Sequence, residues 1–147
     1  MKQTLLLVSL ATACSVMAGE PDLSKLPAPS AQKGVTYAKV IKPLLQASCF
    51  RCHGERQHKA GLRLDSLEAV LKGSEEGKVV NPGASAKSKL VVAISQLDPE
   101  LSMPPKGRGG RGGPGGPGGP GGNFQPPKPL TPEQVGLVRA WIDQGAK

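Results

Sequence analysis

The residues best suited to chemistry are two cysteines and a histidine in the pattern C-x-x-C-H, formed by residues 49–53. This spacing is the attachment signal of a c-type haem. Each thiol can add to one vinyl group of the porphyrin, and the histidine that follows can ligate the iron axially. We therefore predict that Cys49 and Cys52 hold a haem covalently and that His53 ligates its iron.

Three other kinds of site use the same residues. Zinc requires a tetrahedral shell, for which Cys49, Cys52, His53 and His58 are available. The adjacent Cys52 and His53 are poorly placed to face one metal from the same turn. A thioredoxin-like redox pair is expected near a βαβ pattern, and the chain shows no strand–helix alternation. An ordinary disulfide across a tight turn is the third alternative.

A sulfur ligand for the second axial position is available in residues 101–105. Met103 is the sole methionine beyond the first 18 residues, and two prolines follow it. Prolines favour an extended, non-helical backbone, which suits a thioether presented from a rigid loop. Core filling is the alternative role for a methionine. We predict axial ligation by Met103; His58 is a rival ligand, but it lies only five residues from His53.

Residues 1–18 have the character of a secretory signal peptide. Lys2 precedes an apolar run over residues 5–11, and residues 16–18 offer small side chains for cleavage after Ala18. The run is too short to cross a membrane as a helix. The prediction is a periplasmic or otherwise exported protein with no transmembrane segment after cleavage. Cys14 follows a poor lipoprotein signal, so a lipid anchor there is a minor alternative.

Composition favours a small domain with a cofactor in its interior. The 147 residues carry a formal charge of +8, which becomes +7 without Lys2. The aromatic residues beyond the signal are few for a core, and a buried porphyrin would add apolar area; they are Tyr37, Phe50, Phe124 and Trp141. The basic residues are scattered, which indicates a solvated surface. We expect a monomer that meets redox proteins with an acidic docking face and does not bind nucleic acid.

The chain beyond the signal divides into a tether and one domain. Residues 19–33 contain three prolines and predict an extended tether, and residues 34–147 form the domain. The domain opens with a helical pattern whose apolar positions are Val35, Ala38, Ile41 and Leu45. Pro43 is expected to break or kink this helix, which then leads into Cys49.

Short elements are predicted between the C-x-x-C-H segment and Met103. Residues 61–64 are expected to be irregular and to place Leu62 or Leu64 against a haem face. Asp65 and Glu68 predict a capping box for a helix over 66–72, which Gly73 would close. Residues 81–83 form a turn. Ser85 is predicted to cap a further helix whose apolar face carries Leu90, Val91, Ile94 and Leu97.

The last part of the chain contains a low-complexity insert and a helix. Residues 107–122 are almost entirely glycine and proline with two arginines, and they predict a disordered, flexible loop that runs to about residue 129. Thr131, Pro132 and Gln134 predict a capped helix start. The helix has an apolar stripe and ends at a glycine; these residues are Val135, Val138, Trp141, Ile142 and Gly145.

In these features residues 41–147 resemble the planctomycete-type cytochrome c domain, a relative of the class I cytochromes c. The matching stretches follow in order, namely 41–45, 49–54, 61–66, 82–83, 88–90, 103–105 and 130–146. The resemblance implies one haem c with thioethers to Cys49 and Cys52, His53 as the proximal ligand and Met103 as the distal ligand. The glycine/proline insert departs from the family pattern, and so does the lone domain, since relatives are often fused to large partner domains.

The expected protein is an all-α, cytochrome c-like domain wrapped around one haem. Its expected function is to carry single electrons between redox partners, without being an enzyme. One alternative is a haem sensor or peroxidase-like enzyme in which Met103 dissociates from the iron. Another is a wall- or polyanion-binding module that uses the Arg/Gly segment of the insert.

Overall fold

The computed structural model describes residues 20–105 and 127–147. Within these ranges the framework is five helices: α1 Lys42–Ser48, α2 Phe50–His53, α3 Leu67–Lys72, α4 Lys89–Ile94 and α5 Pro132–Asp143. The same ranges hold two isolated β-bridges and no strand, so the predicted small all-α fold is confirmed. The predicted signal peptide with Cys14, and residues 107–126 of the predicted insert, lie outside the described residues.

The helix that leads to the cysteines changes type at its proline. Residues Tyr37–Ile41 form a π-helical turn that runs directly into α1, where Pro43 occupies the first turn. Proline has no N–H to donate and its ring crowds the carbonyl four residues earlier, and a wider turn before it relieves that crowding. The predicted interruption at Pro43 is thus a widened turn, and the chain still continues as a helix towards Cys49.

Helix α5 begins and ends where the sequence predicted. Thr131 accepts a hydrogen bond from the backbone N–H of Gln134, and the Gln134 side chain accepts one from the N–H of Thr131. Gly145 follows the helix with φ of 98°, the left-handed conformation that glycine adopts easily. Both ends are therefore determined by residues within or beside the helix itself.

The buried face of α5 is the centre of the core. It packs against the π-helical turn, against α4 and against a 3₁₀ turn over Ser85–Lys87. Trp141 is fully buried, and its ring lies 5.9 Å from that of Tyr37 in the π-helical turn. The largest fully buried apolar side chains are Trp141, Ile41, Leu45, Ile94, Ile142, Val70, Val80, Val91, Val135 and Val138.

The predicted cap of α3 was wrong by one residue. Ser66 is the N-cap, and its hydroxyl accepts from the N–H of Ala69 at 3.2 Å. Asp65 instead receives two hydrogen bonds from the Arg63 guanidinium, at 2.6 and 3.1 Å. That paired, charged interaction is stronger than a neutral one, so the carboxylate is not available to the helix. Gly73 closes α3 as predicted.

The predicted cap of α4 was also wrong. Ser88 precedes the helix, whereas Ser85 starts the 3₁₀ turn three residues earlier. Both the backbone N–H and the hydroxyl of Ser85 donate to the carboxylate of Asp143, at 2.8 and 2.9 Å. A partner from α5, far along the chain, therefore decides the role of Ser85. The predicted turn at residues 81–83 is present, with the Ala84 N–H donating to the Asn81 carbonyl.

The described part of the predicted tether, residues 20–33, is largely irregular and is bound to α5. Arg139 donates to the carbonyl of Pro27, and the N–H of Ser30 donates to the carbonyl of Gly136 at 2.9 Å. A Cβ atom at Gly136 would lie 2.8 Å from the Ala28 carbonyl oxygen, so glycine permits this close approach. Within the described ranges, no helix has the length and apolar character needed to span a membrane.

Tyr37 makes the free energy of unfolding depend on pH in the alkaline range. Its hydroxyl donates to the Leu64 carbonyl at 2.6 Å, and burial, with a smaller contribution from the charge of Asp65, raises the pKa of Tyr37 from 10.0 to about 12. The folded state favours the neutral phenol, so this contribution is fully present below about pH 10 and is lost as the pH rises towards 12. We expect the free energy of unfolding, measured by chemical denaturation, to fall across this window.

Tyr37→Phe isolates that effect, because Tyr37 is the chain's single tyrosine. At neutral pH the variant should lose about 1 kcal/mol, the usual net value of one hydrogen bond. Between about pH 10 and 12 its stability should fall less than that of the wild type. Parallel curves for the two proteins would contradict the assignment to Tyr37.

Candidate functional site

An apolar cavity of about 220 Å³ lies between the C-x-x-C-H segment, α4 and the Met103 loop. Its walls include Leu62, Leu64, Val79, Leu90, Ala93, Ile94 and Leu101, and Cys49, His53 and Met103 also line it. The structure therefore brings three of the four predicted haem-site residues to one cavity. Leu62 and Leu64 lie where a wall against a haem face was predicted.

The spacing of Cys49 and His53 places both residues on one side of α2. Residues four apart in a helix share a face, and the N–H of His53 donates to the Cys49 carbonyl at 2.9 Å. Cys52 belongs to the same turn, with its N–H 3.1 Å from that carbonyl, and is half-buried. Cys52 is not among the residues that line the cavity. Both cysteines are free thiols, not joined by a disulfide.

Burial keeps the Cys49 thiol neutral. Its side chain is buried in the cavity wall, and this burial, with the nearby Cys52, raises the pKa of Cys49 to about 11. Thiols that attack disulfides or bind metals usually have a lowered pKa. The environment of Cys49 therefore disfavours the thioredoxin-like alternative.

The zinc alternative also lacks a ligand set. Among the residues that the structure describes, no group of three or more His, Cys, Asp or Glu side chains is arranged to hold a metal ion. His58 is exposed and does not line the cavity. Its backbone pairs with that of His53 in an isolated antiparallel bridge, but only His53 of the two lines the cavity.

The backbone holds the His53 ring in an orientation suited to ligation. Nδ1 lies 3.4 Å from the Leu62 carbonyl oxygen, a long hydrogen bond, and the N–H of Leu64 donates to the His53 carbonyl at 2.7 Å. A proton on Nδ1 leaves Nε2 as the free donor for a metal. Desolvation by burial lowers the pKa of His53, which favours the neutral imidazole that metals require.

Met103 reaches the cavity from a loop that is tied to the end of α4. Its N–H donates to the carbonyl of Ala93, itself a cavity residue, at 2.9 Å. One residue earlier, the hydroxyl of the buried Ser102 donates to the carbonyl of Asp98 at 2.6 Å. The loop conformation is therefore specified by hydrogen bonds, and the half-buried Met103 side chain faces an apolar space.

A second and larger groove, of about 750 Å³, uses other faces of the same segment. Phe50, Arg51 and Gly54 line it together with polar and charged residues, namely Lys42, Gln46, Glu55, Arg56, Gln57 and Asp65. It holds no cysteine, histidine or methionine. The smaller apolar cavity is therefore the one with the donor chemistry of a haem site.

One ion pair lies at the rim of the apolar cavity. The ammonium nitrogen of Lys89 is 3.8 Å from a carboxylate oxygen of Glu76, and both residues line the cavity. Their side chains are 58% and 77% exposed, so the pair itself stabilises the fold little. It marks the opening of the cavity to solvent. Sequence patterns did not single out either residue, because isolated charges are common on a surface.

The residues that line the cavity have the chemistry that a porphyrin site requires. Apolar walls surround neutral nitrogen and sulfur donors, and a cysteine lies in the wall. Its volume is below the roughly 300–1,000 Å³ of pockets that enclose a drug-sized ligand.

Fold and cavity together define a small cytochrome c-like helical domain. Residues 49–107 of the chain match the family model described as planctomycete cytochrome C. The match runs from Cys49 past Met103 and so covers the segment that builds the cavity. This match confirms the predicted resemblance to the planctomycete-type cytochrome c domain. That family implies a covalently bound haem c.

A search of solved structures finds similarity to a chain of Kuenenia stuttgartiensis hydrazine synthase. The sequences are 22% identical, the TM-score is 0.45, and the similarity covers 76% of this chain. It spans 16% of the hydrazine synthase chain. No curated protein matches this sequence.

Proposed function

We propose that this protein is an exported, monohaem c-type cytochrome that carries single electrons between redox proteins. Cys49 and Cys52 would hold the porphyrin through thioethers, and His53 and Met103 would ligate the iron. The observation that carries the proposal is the convergence of Cys49, His53 and Met103, from two segments far apart in sequence, on one apolar cavity.

The chain's own residues would prepare the site for electron transfer. When bound, haem iron with histidine and methionine ligands supplies a one-electron couple of raised potential. Leu64, Leu90 and Ile94 exclude water from the cavity. The Leu62 carbonyl oxygen, 3.4 Å from Nδ1 of His53, would accept a proton held on that nitrogen. No acid, base or nucleophile is required of the protein, because only an electron moves.

The proposed partners are redox proteins with an acidic docking face. A formal charge of +8 supports this, since complementary charge speeds encounters between proteins. At the cavity rim, where an electron would leave, Lys89 is 58% exposed and is paired with Glu76. Electron transfer to an acidic partner should therefore slow as salt screens these charges.

Spectroelectrochemistry of the holoprotein tests the carrier function. We expect a reversible one-electron couple, a six-coordinate iron in both oxidation states, and weak binding of carbon monoxide to the reduced protein. Hydrogen peroxide should not be turned over rapidly. A five-coordinate resting state or rapid peroxide turnover would instead establish the sensor or peroxidase-like alternative.

A further inference from the structure

Gln96 follows α4 in an unusual backbone conformation. Its φ is 58°, in the left-handed region where side chains are sterically penalised. Positions just beyond a helix end that adopt this conformation are mostly glycine and sometimes asparagine. Gly73 after α3 follows that pattern, with φ of 92°. A glutamine at such a position indicates that its side chain has a task there.

The Gln96 side chain holds the residue that follows Met103. Its Nε2 donates to the Pro104 carbonyl at 3.1 Å. Pro104 and Pro105 have no N–H groups, so this part of the loop offers only its carbonyl oxygens to the rest of the fold. Met103 is thus held on both sides of its Cα from the end of α4, by its own N–H on Ala93 and by Gln96 on Pro104.

The same side chain carries a second local penalty. Its Oε1 is buried and has no hydrogen-bond partner among the described residues. A buried amide oxygen without a partner disfavours folding, and an apolar side chain of similar size would avoid that cost. Gln96 therefore has an unfavourable backbone conformation and an unpaired amide oxygen. The nitrogen of the same amide makes the hydrogen bond to Pro104.

We propose that Gln96 is a positioning residue that holds Met103 towards the cavity. Without the bond to Pro104, the part of the loop beyond Met103 would lose its attachment to the end of α4, while the Met103 N–H and the Ser102 hydroxyl would still hold the part before it. The thioether would then spend more time away from the iron. This inference rests on the proposed function, because it assumes that Met103 is an iron ligand.

Gln96→Leu in the holoprotein tests the inference. Leucine removes the amide donor together with the unpaired oxygen, so the fold should lose little stability. We expect cyanide to bind the ferric variant roughly tenfold more tightly than the wild type, in the range of effects caused by residues that orient metal ligands. The absorption band of the methionine–iron bond should weaken in parallel, and the midpoint potential should fall.

Gln144→Leu is the matched control. The Gln144 side chain also bonds to backbone, accepting from the Gly34 N–H at 2.8 Å and donating to the Gln32 carbonyl at 2.9 Å. It lies at the C-terminal end of α5 and does not line the cavity. Its loss should lower thermal stability and leave cyanide binding and the methionine band unchanged. If Gln96→Leu behaves in the same way, Gln96 is only structural and the inference is overturned.

Gln96→Asn covers the case in which the leucine variant fails to fold. Asparagine tolerates the left-handed backbone better than glutamine, but it is one methylene shorter and cannot reach Pro104 in the same way. We expect raised cyanide affinity here too, and wild-type affinity would overturn the inference. A wild type without covalent haem, or without methionine ligation, would instead refute the proposed function, so the two failures are distinguishable.

Discussion

Replacing Cys49 and Cys52 with alanine is expected to give a colourless and largely unfolded chain. Both thioethers would be lost, and the porphyrin would no longer be retained. Leu64, Leu90 and Ile94, which line the cavity and belong to the buried core, would then border a solvated space. Burying apolar surface contributes about 25 cal/mol per Å², and a small domain has little stability to spare.

Haem staining after denaturing electrophoresis and circular dichroism measure the two parts of this prediction. The single variants Cys49→Ala and Cys52→Ala are the controls, because each keeps one thioether and should stay coloured after denaturation. Cys49→Ala should be the less stable of the two, since Cys49 is buried in the cavity wall whereas Cys52 is half-buried. A well-folded, colourless double variant would rule out the cytochrome assignment.

Met103→Ala is expected to open one axial position of the iron. Alanine has no donor atom, so water or an added ligand would take the place of the thioether. The ferric protein should become high-spin or water-ligated and should bind cyanide readily. Its midpoint potential should fall, because thioether ligation favours reduced iron more than an oxygen or nitrogen donor does.

Leu101→Ala is the matched control for that change. Leu101 lies two residues earlier in the same loop, lines the same cavity and is 43% exposed, but it has no donor atom. The variant should keep the wild-type spectrum and nearly the wild-type potential. An unchanged spectrum in Met103→Ala would show that another residue is the second ligand.

Helix α5 and the end of α3 were predictable because their determinants are local. Thr131 and Gln134 bond to each other's backbone within one turn, and Gly73 supplies the left-handed residue at the helix end. Short-range patterns of this kind are visible in sequence. They do not depend on how the chain is folded elsewhere.

The helix caps were predicted wrongly where the side chain of the expected cap residue bonds to another side chain and not to the start of the helix. Asp65 pairs with Arg63 and so leaves the cap of α3 to Ser66. Ser85 bonds to Asp143, 58 residues away, and does not cap α4. The attachment of residues 20–33 to α5 was likewise not predictable, because backbone carbonyls such as that of Pro27 carry no sequence signal.

The site was predictable to the extent that cofactor chemistry restricts spacing. The C-x-x-C-H pattern places Cys49 and His53 on one helix face. Met103 could be singled out as a second ligand because two prolines follow it in the sequence. The walls were foreseen in part, through Leu62, Leu64 and the apolar face of α4. Gln96 was not, since its importance depends on a backbone angle and on a contact with Pro104.

The mass of the purified, fully denatured holoprotein tests the central claim most directly. Expression should take place in a host that exports the chain and attaches haem to C-x-x-C-H. Intact-mass spectrometry should then show the polypeptide with the added mass of one haem, and Cys49→Ala/Cys52→Ala should lack that addition. A wild-type chain that reaches the same compartment, folds and carries no covalent haem would contradict the assignment as a c-type cytochrome.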